Sequence, residues 1–239
     1  ARDIDVVLMR QDPPFDLGYI TATHLLEQVQ RQGVLVVNDP AAVRNAPEKL
    51  FVLNFADLMP PTLITRSLDE AQAFRARHGE VVVKPLYGFG GGSVFHLAAD
   101  DTNLGPLAEL FGTVWPEPFI VQAFLPDVVK GDKRIVLVDG EAVGAINRLP
   151  KTGEIRSNLA VGGSAHATSL SADEQRICDR LGPDLKRLGL MFVGIDVIGG
   201  RLTEINVTSP TGIVAIDRFN GSNIPAIFWD RVEALRQGR

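Results

Sequence analysis

Apolar residues come in short bursts along the first forty positions, and their spacing changes period from one burst to the next. IDVVLM (4–9) is a continuous run suited to a buried strand, and Asp12-Pro13-Pro14 turns the chain after it. Over 17–32 the spacing of Ile20, Leu25, Leu26 and Val29 predicts a helix, with Gly33 placed to stop it. VLVVN (34–38) reads as a second strand. Strand, helix, strand in that order predicts a parallel α/β unit up to about residue 45. A further helix is expected from Pro47 through Glu48-Lys49-Leu50-Phe51. Ser67 and Glu70 form a capping box for a helix ending at Gly79.

From residue 81 the pattern turns to hairpins. VVVKP and SVFHL flank a glycine-rich loop. KRIVLV (133–138) and EAVGAI (141–146) are joined by Asp139-Gly140, a strong two-residue hairpin signal. MFVGIDVI (191–198) and RLTEINV (201–207) meet around Gly199-Gly200, and a helix capped by Ser171 and Glu174 lies before them. No repeat, linker or low-complexity tract interrupts the chain. The expected fold class is α/β (α+β): a parallel part, then a larger mixed part dominated by antiparallel sheet.

Composition narrows the function. The 239 residues are 45% hydrophobic and 22% charged, ordinary for a globular protein. Net charge is −5, from 24 basic and 29 acidic residues, so no nucleic-acid footprint is present. No apolar run approaches the roughly 18 residues of a membrane span, and the N-terminus lacks the apolar core of a signal peptide. A cytoplasmic location is expected. Cys178 is the single cysteine and fits a small buried hydrophobe. The four histidines (24, 78, 96, 166) show neither metal spacing nor an adjacent nucleophile. The chain opens on Ala and runs directly into a strand, as a fragment would.

The stretch VVVKPLYGFGGGSVFHL (81–97) is not a P-loop or a dinucleotide fingerprint, because its lysine precedes the glycines and a strand follows them. A kinase reading fails on the same order. A glycine hairpin can still close on phosphate as a flap, its amides free to line up, with Lys84 adding a fixed charge. A loose hairpin with a surface lysine fits the stretch equally. Corroboration comes from VGIDVIGGRLTEINVTSPTG. Glu204 and Asn206 leave one strand on the same face. Asp196 faces them only if the connection is odd, for instance the three residues Gly199-Gly200-Arg201. Two carboxylates and an amide oxygen suit Mg²⁺. A solvated polar face is the alternative, and the apolar flanks argue against it.

With those residues, DVVLMRQDPPFD (5–16), NAPEKLF, VQAFLP, GDKRIVLVDGE and EIRSNLAVGG, nearly the whole chain resembles the ATP-grasp superfamily and, within it, bacterial glutathione synthetases. The resemblance implies an ATP-grasp fold whose antiparallel sheets sandwich a nucleotide. Residues 1–45 would be a partial N-terminal α/β domain, and 46–239 the ATP-grasp domain. The latter divides into a central subdomain (about 46–121, flap 87–93) and a C-terminal one (about 122–239, lid 149–167). It also implies ATP-driven joining of γ-glutamylcysteine and glycine through an acyl phosphate, with two Mg²⁺, replaceable by Mn²⁺, and a homotetramer.

Carried over by motif, Lys49 and Lys84 reach the phosphates, and Tyr87, Gly88, Gly90, Gly91, Gly92 and Ser93 form the flap. Gln122, Ala123, Phe124 and Leu125 hold adenine by their backbone. Asp132 contacts ribose, although a turn aspartate is an alternative. Arg134 faces the transferring phosphoryl group, although an outward strand arginine is an alternative. Asp196, Glu204 and Asn206 match the metal ligands. Arg10, Arg134, Arg148, Arg156, Asn158, Ser209, Pro210 and Thr211 match the substrate set. The family's strand–helix portion before DVVLMR and a basic residue after Gly162-Gly163 are missing. Two alternatives remain beside this reading: another ATP-grasp peptide ligase, or a truncated ATP-binding module without turnover.

Overall fold

Two antiparallel sheets supply the walls of one cleft, and a short parallel pair of strands flanks the larger of them. The computed structural model describes residues 3–88 and 90–238; Phe89, inside the expected flap, lies outside the described residues. The parallel pair is β1 (Val6–Leu8) and β2 (Leu35–Val37), linked by α1 (Leu17–Gln30), as the hydrophobic pattern predicts. Asp16 caps α1 by accepting from the Tyr19 amide. This portion is not separate from the rest. Leu35 and Val37 share a buried cluster with Val136, Met191 and Phe192, so its core is continuous with the larger sheet.

The smaller sheet has the order β3 (Thr62–Thr65), β6 (Phe119–Ala123), β4 (Val81–Pro85), β5 (Phe95–Leu97). One face, through Val81, Val83, Leu97 and Val121, packs under α4 (Leu68–His78) and α5 (Leu104–Val114). The other carries Val82, Lys84 and Gln122 to the cleft. The α4 box is formed only in part. Ser67 accepts from the Glu70 amide, but Glu70 reaches back to Thr65 Oγ1, which in turn accepts from the Ser67 amide.

The larger sheet has the order β11 (Arg201–Asn206), β10 (Phe192–Ile198), β7 (Asp132–Val138), β8 (Glu141–Leu149), β9 (Ser164–Ala167). One face is apolar through Ile135, Leu137, Val193 and Ile195, and lies against α6 (Ala172–Arg187) through Ile177, Leu181 and Leu185, with Lys133 at its end donating to Glu174 of α6. The opposite face is divided. Val136, Val138 and Ile146 sit beneath α7 (Ile213–Asn220) and α8 (Ile224–Gln237), whereas the remaining end is charged and open to the cleft.

Three expected boundaries move. α2 (Pro40–Asn45) is followed by α3 (Glu48–Phe51) and a 3₁₀ segment, Val52–Leu58. Phe51, Val52, Phe55 and Met59 enter the core of the larger sheet, so the start of the expected central subdomain belongs there instead. β6 continues through Gln122 to Ala123, so the passage between sheets follows Ala123 rather than residue 121. The expected lid narrows as well: residues 164–167 are strand β9, bonded along β8, which leaves about 150–163 as loop.

Candidate active site

The cleft between the sheets has a volume of about 630 Å³. Its floor follows from strand register. On β7 and β8, Asp132 pairs with Arg148, and on β7 and β10, Arg134 pairs with Asp196, so all four side chains share one face. Asp196 also pairs with Glu204, the register the sequence demands, but by a different route. The turn is two residues, Gly199-Gly200, both at positive φ, and the parity shift comes from a bulge at Thr203. Thr203 Oγ1 donates to the Asp196 carbonyl at 3.1 Å, which holds the bulge. The bulge lets Leu202 and Ile205 both face the core while Thr203, Glu204 and Asn206 line the cleft.

The charges form two connected groups. Arg134 grips Asp196 with two bonds, Nε to Oδ1 at 2.5 Å and Nη2 to Oδ2 at 3.0 Å. Arg148 bridges Asp132 (2.5 Å) and Asp196 (2.9 Å). Burial opposes ionisation of Asp196, but Arg134 and Arg148 hold its carboxyl well below the usual carboxylate range. Burial pushes Asp132 up, with Arg148 opposing. Burial works against the Arg148 charge, yet the two carboxylates keep it firmly protonated. In the second group, Glu204 Oε1 lies 3.5 Å from Lys84 and 3.7 Å from Lys49. Lys49 also donates to Glu48 and to the Gly88 carbonyl. Despite burial, Lys49 and Lys84 hold Glu204 low, and Glu204 with Glu48 holds Lys49 high. Burial, then the Glu204 charge, raises Glu48. Four buried or half-buried carboxylates are therefore matched one for one by four cations.

The structure gathers most of the expected residues here. Lys49, Lys84, Gly88, Gly90, Gly91, Gly92, Gln122 to Leu125, Asp132, Arg134, Arg148, Arg156, Asn158, Asp196, Glu204, Asn206, Ser209, Pro210 and Thr211 all line the cleft. Flap and lid touch: a Cβ on Gly91, at φ +78°, would stand 2.7 Å from Asn158 Oδ1. Arg156 pairs with Glu154 beside it. Tyr87 and Ser93 lie outside the lining; Tyr87 is exposed, its ring stacked near Phe15. Arg10 also stands outside. It donates to the Pro210 carbonyl at 2.9 Å and covers the Phe192 ring, so it braces the loop rather than facing the cleft.

In the hinge, the amides of Ala123 and Phe124 are already spent on the carbonyls of Pro61 and Glu80. The Leu125 amide has no such partner among the described residues. Asp132 points Oδ2 at Arg148 and Ser157, whereas Oδ1 is buried without a partner among the described residues. Sequence reasoning missed Glu48 and Ser157. Glu48 could have been flagged by its place beside Lys49; Ser157 becomes visible only through its bond to Asp132.

Comparison with known proteins follows this geometry. The family model for the prokaryotic glutathione synthetase ATP-grasp domain matches residues 48–221, and that for the N-terminal domain of the same enzymes matches residues 1–44. A glutathione synthetase of Rhodopseudomonas palustris is 60% identical over 98% of this chain and 75% of its own. One from Shewanella oneidensis is 48% identical over 97% and 74%. Among solved structures, the ATP-grasp ligase PsnB with minimal precursor, Mg and ADP superposes with a TM-score of 0.69 at 19% identity, over 98% of this chain and 78% of that one. The D-alanine–D-alanine ligase of Bacillus anthracis with ATP gives 0.68 at 16%, over 99% and 82%.

Proposed function

The chain belongs to the prokaryotic glutathione synthetase family, and from that premise we propose that this cleft joins γ-glutamylcysteine to glycine, with ATP as co-substrate and an acyl phosphate between the two half-reactions. The observation that carries the residue assignments is the charge-matched floor beneath a glycine flap. Lys49 and Lys84, both held by Glu204, lie side by side where the flap closes. Arriving phosphates replace the carboxylate as their partner. Arg134 turns its Nη1 toward the Thr211 carbonyl, 3.3 Å away, in the Ser209-Pro210-Thr211 loop. It is thereby placed between that loop and the lysines, and stabilises charge on the phosphoryl group as it passes to the dipeptide carboxylate. No protein nucleophile takes part. Binding holds amine and acyl phosphate together, and the lid over 150–163 excludes water. Asp132, whose Oδ1 has no partner among the described residues, accepts a ribose hydroxyl.

Asp196, Glu204 and Asn206 fit Mg²⁺ as an incomplete shell. The three residues share one face, yet no group of three or more His, Cys, Asp or Glu side chains is clustered for a metal among the described residues. Mg²⁺ commonly binds through one or two carboxylates and completes its shell with phosphate oxygens and water. Since protein charges on the floor already balance, up to two ions entering with ATP would offset the nucleotide's own charge, and Mn²⁺ serves the same donor set. Held by these residues, a divalent ion would supply neutralisation of phosphate charge.

The test is ADP release from Mg²⁺–ATP, γ-glutamylcysteine and glycine, each omitted in turn, with D-alanine offered in place of glycine. Turnover that needs all components is the expected result. ATP binding without release, or release with D-alanine alone, would overturn the reading.

A further inference from the structure

His96 closes the 81–97 stretch beyond the glycines and contributes no atom to the cleft lining, yet the fold sets it against the hinge. It is on β5, paired with Val82 of β4, which pairs in turn with Gln122 of β6. Residues paired across strands project on the same face, so the row His96, Val82, Gln122 runs along the cleft side of the sheet. At the end of this row the His96 ring stacks on Phe124, with centroids 4.0 Å apart and planes at 28°. His96 Nε2 lies 2.7 Å from Glu80 Oε2, and the Glu80 carbonyl accepts from the Phe124 amide at 2.9 Å. Phe124 is thus fastened twice to the β4–β5 pair, by its backbone through Glu80 at the head of β4 and by its ring through His96 on β5. The imidazole and the Glu80 carboxylate are partly exposed, 30% and 51%, so their pairing adds little by itself; it fixes the plane of the ring.

We infer that His96 and Glu80 are positioning residues for the adenine end of the nucleotide: they hold the Phe124 ring, and with it the neighbouring Leu125 amide, in the pose that receives the base. The inference rests on the reading that ATP occupies this cleft with its base against Phe124. An aromatic pair held in place contributes modestly beyond its buried area, whereas a base stacked on an aromatic ring contributes more. His96→Ala is therefore expected to weaken ATP binding about three- to tenfold. Phe124→Ala is expected to weaken it about five- to a hundredfold. Turnover at saturating ATP remains unchanged in His96→Ala.

The experiment measures ATP affinity by calorimetry, together with inhibition by inorganic triphosphate, which has phosphates but no base. His96→Ala should weaken ATP and leave triphosphate unaffected, Glu80→Ala should do so to a smaller extent, and His96→Phe, which keeps a ring but not its bond to Glu80, should restore ATP binding to the Glu80→Ala level. If Phe124→Ala weakens ATP but His96→Ala does not, the positioning role is refuted while the site reading stands. An ATP affinity indifferent to Phe124→Ala overturns both. A loss shared by triphosphate would show general disturbance of the sheet and would also refute the role.

Discussion

Replacing Arg148 with methionine removes the charge that bridges the two carboxylates of the floor while keeping most of the apolar stem. Arg148 is 4% exposed and serves Asp132 and Asp196 together. In the variant Asp196 retains Arg134, but Asp132 is left with one hydroxyl partner, Ser157. Breaking a buried ion pair from one side costs about 3–5 kcal/mol, because the remaining charge stays desolvated. A chain of this size loses about 2–4 °C of Tm per kcal/mol, so the expected drop is about 6–20 °C at neutral pH. The same variant carrying Asp132→Asn should recover a large part of that loss, since no orphaned charge remains. The pH dependence has a definite sign. Asp132 is already raised by burial, and without Arg148 it rises further. As pH falls through the folded value, the native state takes up a proton that an unfolded Asp132 binds only near pH 4, so the deficit of the variant shrinks on acidification. Thermal unfolding of the wild type, both single variants and the double variant, at neutral and mildly acidic pH, provides the cycle. A drop below about 2 °C, or a loss undiminished by Asp132→Asn, would refute the view that charge rather than packing sets the cost.

Glu204→Gln should lower turnover at least about a hundredfold through lost transition-state charge stabilisation while leaving the fold intact; ADP release and far-UV circular dichroism test the two parts, and near-normal turnover would remove Glu204 from the metal set. Gly91→Val places a branched side chain at φ +78° against Asn158, so ATP KM should rise with little change in Tm, as steady-state kinetics and calorimetry will read. Asp196, held low by its arginines, contributes stability that is complete above the ordinary aspartate range and is lost as pH falls toward its folded value. Asp196→Asn should therefore be less stable than wild type at neutral pH and flatten the acid limb of a Tm-against-pH curve.

Legibility followed the range of the physics involved. Strand and hairpin positions could be read because their signals are local: Asp139-Gly140 and Gly199-Gly200 turn the chain with both residues at positive φ. The Ser171–Glu174 box forms in full, since it needs only four residues. α5 went unread although Leu104, Leu107 and Phe111 recur at helical spacing, because Gly105, Pro106 and Gly112 interrupt the pattern and no side chain caps it. α7 is only eight residues long and opens at Gly212 with no side-chain cap, so little local signal marks it. The α4 box shows how a local rule is diverted: Thr65 inserts its hydroxyl between the two partners.

The site divides along the same line. Asp196 opposite Glu204 was recoverable, since strand parity permits only an odd offset, but the residue that supplies the offset was not. Nothing local distinguishes a three-residue turn from a two-residue turn plus a bulge. Packing decides it, because Leu202 and Ile205 must both reach the core, and only an extra residue between the two, Thr203, allows that without burying Glu204. The contacts that organise the site beyond the motifs, Arg148 to Asp196 across 48 positions and His96 to Phe124 across 28, depend on which strands become neighbours. Motif residues announce chemistry because a reaction restricts their type. The side chains that hold them in place are restricted only by geometry, so the fold must be known before their roles can be read.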